Sequence, residues 1–180
     1  QHVALDGSSP SGRFVVSSPS ADVADLVDLA TGSSVSLASA LAAIAAADPA
    51  AVVNAVESAA VSPDGTVVAL ETVRNHGGLE PTRHLWVWDT TTQQLRDLGL
   101  DRGTVQVADD GTVVYADRAT LVGSIRASLA DGSSRTVYSG TNVFSFGRTF
   151  AASTDLRTVA FVAATQPLGP TSAVYLSRCR

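Results

Sequence analysis

The feature that most constrains the fold is a polar turn followed by an apolar strand, which recurs four times. The copies are SSPSGRFVVSS (8–18), VSPDGTVVALE (61–71), VADDGTVVYAD (107–117) and ASTDLRTVAFV (152–162). Their equivalent positions Ser9, Ser62, Ala108 and Ser153 are separated by 53, 46 and 45 residues. A fixed period of this length is typical of proteins built from repeated supersecondary units.

The turn chemistry is shared by most of the copies. Proline sets φ at the second turn position of the first two copies, at Pro10 and Pro63. A glycine that can adopt the left-handed conformation ends the turn in the first three copies. The fourth copy has Leu156 at the glycine position, so its turn is degenerate.

Other strands surround each turn. A strand precedes it. HLWVWDTTTQQ (84–94), with its counterparts in the first and third copies, predicts a third strand that ends in a polar turn, and QLRDL (94–98) predicts a fourth. Each unit then contains four short antiparallel strands, A to D, in roughly 45 residues. One unit cannot bury both faces of its sheet, whereas radial stacking of units buries them in a β-propeller. A β-sandwich with hairpins of similar length is the alternative.

The segment SPDGTVVAL…HLWVWDTTTQQLRDL resembles the repeat of the TolB-like, or WD40-like, β-propellers of bacteria. Blades of that family carry S-P-D-G between strands A and B, and W/Y-V-x-D with apolar alternation in strand C. Residues 85–89 match the strand C pattern. The resemblance implies an all-β fold, a β-propeller of four-stranded antiparallel blades, and it specifies fold better than activity.

We expect one domain over residues 1–180. Its divisions are blade 1 (about 1–37), a helical insertion (38–55), blade 2 (about 56–99), blade 3 (about 103–139) and blade 4 (about 143–180). The fourth blade lacks its last strand. The four blades are therefore expected to belong to a longer propeller or to an open ring, with a closed four-bladed ring as the alternative.

The insertion LASALAAIAAADPAAVVNAVES (37–58) is rich in alanine and interrupts the strand pattern. It predicts a helix over 39–47. Asp48 followed by Pro49 is typical of a helix start, with Asp as N-cap, so a second, shorter helix is expected from Pro49. The insertion connects strand D of blade 1 to strand A of blade 2.

Charge and composition exclude some partners. The formal net charge is −5, which argues against nucleic acid and anionic membranes because both bind basic surfaces. No apolar run approaches about 18 residues, so no membrane insertion is expected. The single cysteine, Cys179, excludes an internal disulfide and a cysteine zinc site. It is expected to be either a free thiol or bonded to a partner.

No catalytic, metal or cofactor site is predicted. Glu71, His76, Glu80 and His84 match no standard metal spacing. Instead, His84 is expected to open a strand and His76 to be solvated. No G-x-S-x-G elbow accompanies the three histidines, so no catalytic residue is assigned. Calcium binding by Asp64, Asp109, Asp110 and Asp131 is less expected than hydrogen bonding of each carboxylate to its own turn.

Trp86 and Trp88 alternate along one strand, so both rings fall on the same face of the sheet. Packing between neighbouring blades is the expected role, and a sugar-stacking platform is the alternative. Leu85 and Val87 point to the opposite face, which makes both faces apolar. Two apolar faces are what an interior blade requires.

The longest connections are expected to gather on one rim of the propeller. They are the B–C connections 72–84 and 164–172 and the helical insertion. Loops on a rigid scaffold often carry binding, although permissive surface is the alternative here. The candidate binding residues are Arg74, Asn75, His76, Glu80, Arg83, Gln166 and Leu168.

These patterns predict a non-enzymatic, exported module that binds or scaffolds a protein partner through the loop-rich face. The alternatives are the lid-like propeller domain of a larger prolyl-oligopeptidase-type hydrolase, and a carbohydrate-binding propeller. A secreted or cell-envelope location follows from the resemblance, from the absence of Lys, and from a start at Gln1 that implies a removed leader or a longer chain. Self-association through an open blade edge is also expected.

Overall fold

The computed structural model describes residues 5–20, 23–49, 56–74, 82–100, 102–117, 124–139, 150–153, 155–164 and 172–178. The elements in these ranges are β1 (Leu5–Ser8), β2 (Phe14–Ser20), β3 (Val23–Asp28), β4 (Ser33–Ser36), α1 (Ala38–Ala47), β5 (Val56–Val61), β6 (Val67–Arg74), β7 (Thr82–Asp89), β8 (Gln94–Leu100), β9 (Arg102–Val107), β10 (Val113–Asp117), β11 (Ser124–Ser128), β12 (Ser134–Ser139), β13 (Phe150–Ala152), β14 (Thr158–Ala164) and β15 (Ser172–Arg178).

Consecutive strands pair as antiparallel meanders. Blade 1 is β1 to β4, blade 2 is β5 to β8, and blade 3 is β9 to β12. Blade 4 is described as the three strands β13 to β15. This order confirms the predicted all-β fold of four-stranded blades with one helix. The division of the chain into one domain with the stated boundaries stays a prediction.

Blades 1 and 2 join at their inner strands. β1 and β5 pair in parallel over two residue pairs, Gly7 with Ala59 and Ser8 with Ala60. A Cβ atom at Gly7 would lie 1.8 Å from the carbonyl oxygen of Ala59, so this close approach requires glycine. The join links two meanders into one eight-stranded sheet.

Helix α1 packs against β3, the third strand of blade 1, and β8, the outer strand of blade 2. Its buried side chains are Ala40, Leu41 and Ile44, which complete the core between these blades. The predicted helix over 39–47 is thereby confirmed as α1. Asp48 forms the C-cap of α1, and the second helix predicted from Pro49 falls, apart from Pro49 itself, on residues outside the described ranges.

Neighbouring blades enclose separate apolar cores. The blade 1–2 core comprises Phe14, Val16, Ala24, Leu26, Leu37, Ala40, Leu41, Ile44, Val56, Val61, Val68, Leu70, Trp86 and Trp88. The blade 2–3 core comprises Ala60, Val67, Ala69, Leu85, Val87, Val107, Val113 and Tyr115. The blade 3–4 core comprises Ala108, Val114, Ala116, Ile125, Ala127, Phe150, Leu156, Val159 and Phe161.

Strand β7 buries both of its faces. Trp86 and Trp88 are 2% and 5% exposed in the blade 1–2 core, while Leu85 and Val87 are buried in the blade 2–3 core. The predicted packing role of the two tryptophans is therefore confirmed. The Trp86 indole also donates a hydrogen bond of 3.0 Å from Nε1 to Thr72 Oγ1, which satisfies its buried N–H.

The four A–B turns share one hydrogen-bond pattern. The fourth turn residue donates its N–H to the carbonyl of the first, from Gly12 at 2.9 Å, Gly65 at 3.1 Å, Gly111 at 3.0 Å and Leu156 at 2.8 Å. Leu156 adopts the left-handed conformation, with φ of 50°, that glycine adopts in the other copies. Its side chain is buried in the blade 3–4 core, and this burial offsets a strain of about 1–2 kcal/mol.

The register between the first two strands of blade 3, β9 and β10, differs by one residue from that between β5 and β6 in blade 2. Val61 pairs with Val68, but Val107 pairs with Val113. A shift of one residue exchanges the two faces of a strand. Alignment of the two sequences matches Val113 with Val67, but in the structure Val113 corresponds to Val68. In blade 2 the Ser62 hydroxyl accepts the N–H of the first residue of β6 at 3.0 Å. Blade 3 has Ala108 at the position of Ser62, so no hydroxyl is present to accept this N–H, and its turn is one residue shorter.

Replacing the glycine at the blade 2 corner, Gly65, is predicted to lower the free energy of unfolding more than replacing Gly12 at the blade 1 corner. A Cβ atom at Gly65 would lie 2.7 Å from the Phe14 ring, whereas nothing lies within 4 Å of one at Gly12. Both glycines have positive φ, so Gly12→Ala costs about 1–2 kcal/mol from backbone strain alone. Gly65→Ala adds an overpacking cost of about 1–3 kcal/mol.

Urea denaturation of both variants measures the difference in the free energy of unfolding. Gly12→Ala is the matched control for backbone strain. Equal losses of stability in the two variants would contradict the contact between the Phe14 ring and the blade 2 corner.

Candidate functional site

The two ends of each blade carry different connections between its strands. The A–B and C–D turns lie at one end, here called the corner end, where Val67 pairs with Asp89. The B–C connections lie at the other end, here called the loop end, where Arg74 pairs with Thr82. In blade 4, Ala164 pairs with Ser172 at the corresponding end. The loop-end connections are thus 75–81 and 165–171, shorter than the sequence predicts.

The candidate binding residues divide between the described ranges and the rest of the chain. Arg74 is the last residue of β6, and Arg83 is the second residue of β7, so both stand at the loop end. The other five, Asn75, His76, Glu80, Gln166 and Leu168, lie outside the described residues, as does Cys179. Their role in binding stays a prediction, as does self-association through an open blade edge.

Arg83 forms an ion-pair cluster with two glutamates at the loop end. Its guanidinium contacts both carboxylate oxygens of Glu57 at 2.7 Å, and its Nε lies 3.4 Å from Glu71 Oε1. The buried carboxylate of Glu71 also accepts a hydrogen bond of 2.6 Å from the Ser58 hydroxyl. Hydrogen bonding from Arg83 lowers the pKa of Glu57, and the same bond raises the pKa of Arg83.

His84 lies inside β7 and does not open the strand, which corrects the sequence interpretation. Its ring stacks on Trp86 at a centroid distance of 3.9 Å, and its side chain is 12% exposed. Nε2 lies 2.6 Å from Asp97 Oδ1 on β8, while Nδ1 lies 3.8 Å from Asp48 Oδ2 at the end of α1. The imidazole is therefore hydrogen-bonded to the outer strand of blade 2, and its Nδ1, which has no hydrogen-bond partner among the described residues, faces Asp48 at the end of α1.

A metal site that combines Glu71 and His84 is excluded by strand geometry. Glu71 pairs with Leu85, and His84 pairs with Thr72, so their side chains point to opposite faces of the sheet. Glu71 is bound by Ser58 and Arg83 on its own face. Across the described part of the chain, no three His, Cys, Asp or Glu side chains cluster as a metal site would require.

The sequence predicts that four turn aspartates bond to their own backbone, and three of them do. Asp64, Asp110 and Asp131 each accept the N–H of the residue two positions later, at 2.9, 2.8 and 2.8 Å. Asp109 differs, because its Oδ1 accepts the N–H of Asp64 at 2.8 Å. This bond joins the corners of blades 2 and 3. Burial raises the pKa of Asp109, and the neighbouring carboxyl groups of Asp64 and Asp110 raise it further.

A pocket of about 330 Å³ opens beside this junction, between blades 2 and 3. It combines an apolar floor with polar and charged walls. Its lining residues are Thr66, Val67, Val87, Asp89, Thr91, Gln94, Leu95, Arg96, Asp109, Asp110, Gly111 and Ala130. Sequence reasoning missed it, because the Asp and Gly residues of these turns were assigned to turn formation alone.

Arg96 forms one wall of the pocket. Its guanidinium donates hydrogen bonds to the carbonyl oxygens of Gly111, at 2.7 Å, and of Leu129. Partial burial lowers its pKa, and the charge of Asp131 opposes that effect. Arg96 thus connects the outer strand of blade 2 to both turns at the corner of blade 3.

Solved structures share this architecture. The β-propeller domain of the Trilobed protease from Pyrococcus furiosus, which has an open velcro topology, is similar with a TM-score of 0.55 and 11% identity, over 99% of this chain and 56% of that chain. Oligogalacturonate lyase from Vibrio parahaemolyticus has a TM-score of 0.55 and 15% identity, over 95% and 48% of the respective chains. Hydrazine synthase from Kuenenia stuttgartiensis has a TM-score of 0.51 and 15% identity, over 99% and 51%.

The chain spans about half the length of these three solved chains. At such identities the similarity shows the fold alone, and that fold is a β-propeller. No family model and no curated protein matches the chain, so membership of the TolB-like family stays a prediction. Within the described ranges, no helix has the length and apolar character to cross a bilayer.

The Arg83–Glu57 pair predicts a loss of stability in acid. The pKa of Glu57 is lower in the folded chain than in the unfolded chain because Arg83 stabilises the carboxylate. Its contribution is complete above the unfolded-state pKa and is lost as the pH falls through the folded-state pKa. The free energy of unfolding should therefore fall more steeply in wild type than in Glu57→Gln, between about pH 5 and pH 2.

The pair is partly exposed, so the expected difference at neutral pH is at most about 1 kcal/mol. Urea denaturation at stepped pH values measures it, and Arg83→Gln with the double variant completes a thermodynamic cycle. Parallel pH profiles for wild type and Glu57→Gln would show that the pair does not contribute.

Proposed function

We propose that this β-propeller is a non-enzymatic module that binds a protein partner through its loop end. The observation that carries the proposal is the strand register, which directs the connections 75–81 and 165–171 to the same end of their blades. A rigid scaffold that collects its longer connections at one end presents a continuous surface for recognition. The partner would contact Arg74, Asn75, His76, Glu80, Gln166 and Leu168.

The described part of the loop end supports this proposal by its rigidity. Arg83, Glu57 and Glu71 tie the adjoining strands β5, β6 and β7 together. His84 hydrogen-bonds to Asp97 and so joins β7 to β8, on which helix α1 packs. Connections that start from such an anchored base lose less conformational entropy when they bind.

The proposal includes export to the cell envelope or the exterior. It rests on the resemblance of the blade motifs to the TolB-like propellers. The location is tested by fractionation of the producing cells with an antibody against this chain.

A second candidate function is that of a propeller domain within a larger hydrolase. The similarity to the β-propeller domain of the Trilobed protease favours it. In that case the loop end would face a peptidase domain instead of a separate partner. The reading frame on either side of residues 1–180 tests this alternative, because it would encode the hydrolase domain.

A photo-crosslinking amino acid at His76 tests binding through the loop end. The matched control places it at Thr31, an exposed turn residue at the corner end of blade 1. In producing cells, we expect a defined cross-linked protein from position 76 and none from position 31. Mass spectrometry identifies the partner, and a peptidase domain of the same gene product would support the second candidate.

Equal cross-linking from both positions, or a product from position 31 alone, would contradict the proposal. A partner whose cross-link survives substitution of Arg74, Asn75 and Glu80 by alanine would also contradict it, since these residues are expected to form the contact. Circular dichroism of each variant confirms that the propeller is folded.

A further inference from the structure

The corner between blades 1 and 2 is filled by the chain's own side chains. The Phe14 ring covers Gly65, where any Cβ atom would be 2.7 Å from the ring. The Arg13 guanidinium lies 4.8 Å from the centroid of that ring. It also binds both carboxylate oxygens of Asp28, at 3.0 and 2.7 Å. A ring, a planar cation and a carboxylate thus form one layered arrangement.

The corner between blades 2 and 3 has the same backbone frame. Phe14 pairs with Asp28 in blade 1, as Val67 pairs with Asp89 in blade 2. The carbonyl of Arg13 accepts the N–H of Leu29 at 2.8 Å, and the carbonyl of Thr66 accepts the N–H of Thr90 at 2.9 Å. Thr66, Val67 and Asp89 are therefore the structural equivalents of Arg13, Phe14 and Asp28.

The glycine that faces this frame is also retained. Gly111 in blade 3 corresponds to Gly65 in blade 2, with φ of 79° and 81° and the same turn hydrogen bond. A Cβ atom at Gly111 would meet its nearest atom at 3.5 Å, which belongs to Ala130, and would meet no aromatic ring within 4 Å. The corner keeps its glycine but lacks the ring that covers it in the preceding corner.

Of the ring, guanidinium and carboxylate that fill the corner between blades 1 and 2, the corner between blades 2 and 3 keeps only the carboxylate. Valine replaces the phenyl ring and threonine replaces the guanidinium, while the carboxylate of Asp89 remains. The pocket of about 330 Å³ lies at this position, and Thr66, Val67, Asp89 and Gly111 all line it. Its volume is at the lower end of the range for small-ligand pockets.

The charge around the pocket favours a cation. Three carboxylates line it, from Asp89, Asp109 and Asp110, against the single guanidinium of Arg96, whose donors are directed to backbone carbonyls. Asp89 Oδ1 accepts the N–H groups of Thr91 and Thr92 at 2.8 Å. Among the described residues, no Arg or His forms an ion pair with Asp89, unlike its equivalent Asp28.

We propose that this pocket binds an arginine next to an aromatic residue in a peptide segment of a partner protein. The segment would place its guanidinium on Asp89 and its ring on Gly111, as Arg13 and Phe14 are placed on Asp28 and Gly65. The filled corner of the same chain is the independent indication of the ligand, beyond the acidic lining itself. The site lies at the corner end and is separate from the proposed loop-end surface.

Binding of acetyl-Arg-Phe-amide to the purified 180-residue chain tests the proposal by calorimetry. Benzamidine, which carries a planar cation on a phenyl ring, serves as a smaller second probe. We expect Asp89→Asn to weaken both probes about tenfold, because a charge-assisted hydrogen bond is lost while the turn keeps its amide acceptor. Asp28→Asn is the matched control and should bind both probes as wild type does.

A self-filling variant gives a second and opposite readout. Thr66→Arg with Val67→Phe recreates the residues of the filled corner, so it should abolish probe binding and raise the melting temperature. Thr66→Arg alone, at a partly exposed position, should weaken the probes by competition for Asp89 without repacking the core. Should the double variant fail to fold, the single variant decides.

Three results would overturn the proposal. They are no detectable binding of either probe at about 10 mM, equal binding of acetyl-Glu-Phe-amide, and unchanged probe affinity in Thr66→Arg. None of them bears on the loop-end proposal, because the pocket adjoins the end of β6 and β7 where Val67 pairs with Asp89, and the connection 75–81 joins these strands at their other end.

Discussion

The structure depends on the burial of both faces of each interior sheet. A four-stranded sheet with two apolar faces is unstable alone, and each neighbouring blade covers one face. In β7 this produces alternation, with Trp86 and Trp88 in one core and Leu85 and Val87 in the next. Full burial of such an apolar side chain contributes about 1.5–3 kcal/mol, so these inter-blade cores are the main source of stability.

Because the blade is repeated, equivalent corners can be compared, and their differences show which side chains fill a corner and which leave it open. The A–B turn keeps the hydrogen bond from its fourth to its first residue in all four copies, even where Leu156 must adopt a positive φ. The side chains that occupy each corner are free to vary around that constant frame. Phe14 with Arg13 closes one corner, and Val67 with Thr66 leaves the next one open as a pocket. The chain thus contains both a filled and an unfilled version of one site.

Much of the fold was predictable because local chemistry decides it. The turn residues, the alternation of β7 and the alanine-rich helix were each assigned from sequence, and the structure contains them. The register of blade 3 was not predictable, because D-G-T-V-V occurs in both blades 2 and 3 while the pairing differs by one residue. The role of His84 was missed for a similar reason, since its partners Asp48 and Asp97 come from a helix and a different strand.

By itself, the sequence determined the repeat, the strand order within a blade and the left-handed turn positions, since these follow from short-range sterics and hydrophobic periodicity. Only the tertiary structure decided which charges are used internally and where space remains. Arg83 is paired with Glu57 and Glu71 from neighbouring strands, while its predicted role in binding stays a prediction. The pocket is likewise a property of two adjacent blades, because its volume depends on how Val67 in one blade meets Gly111 in the next.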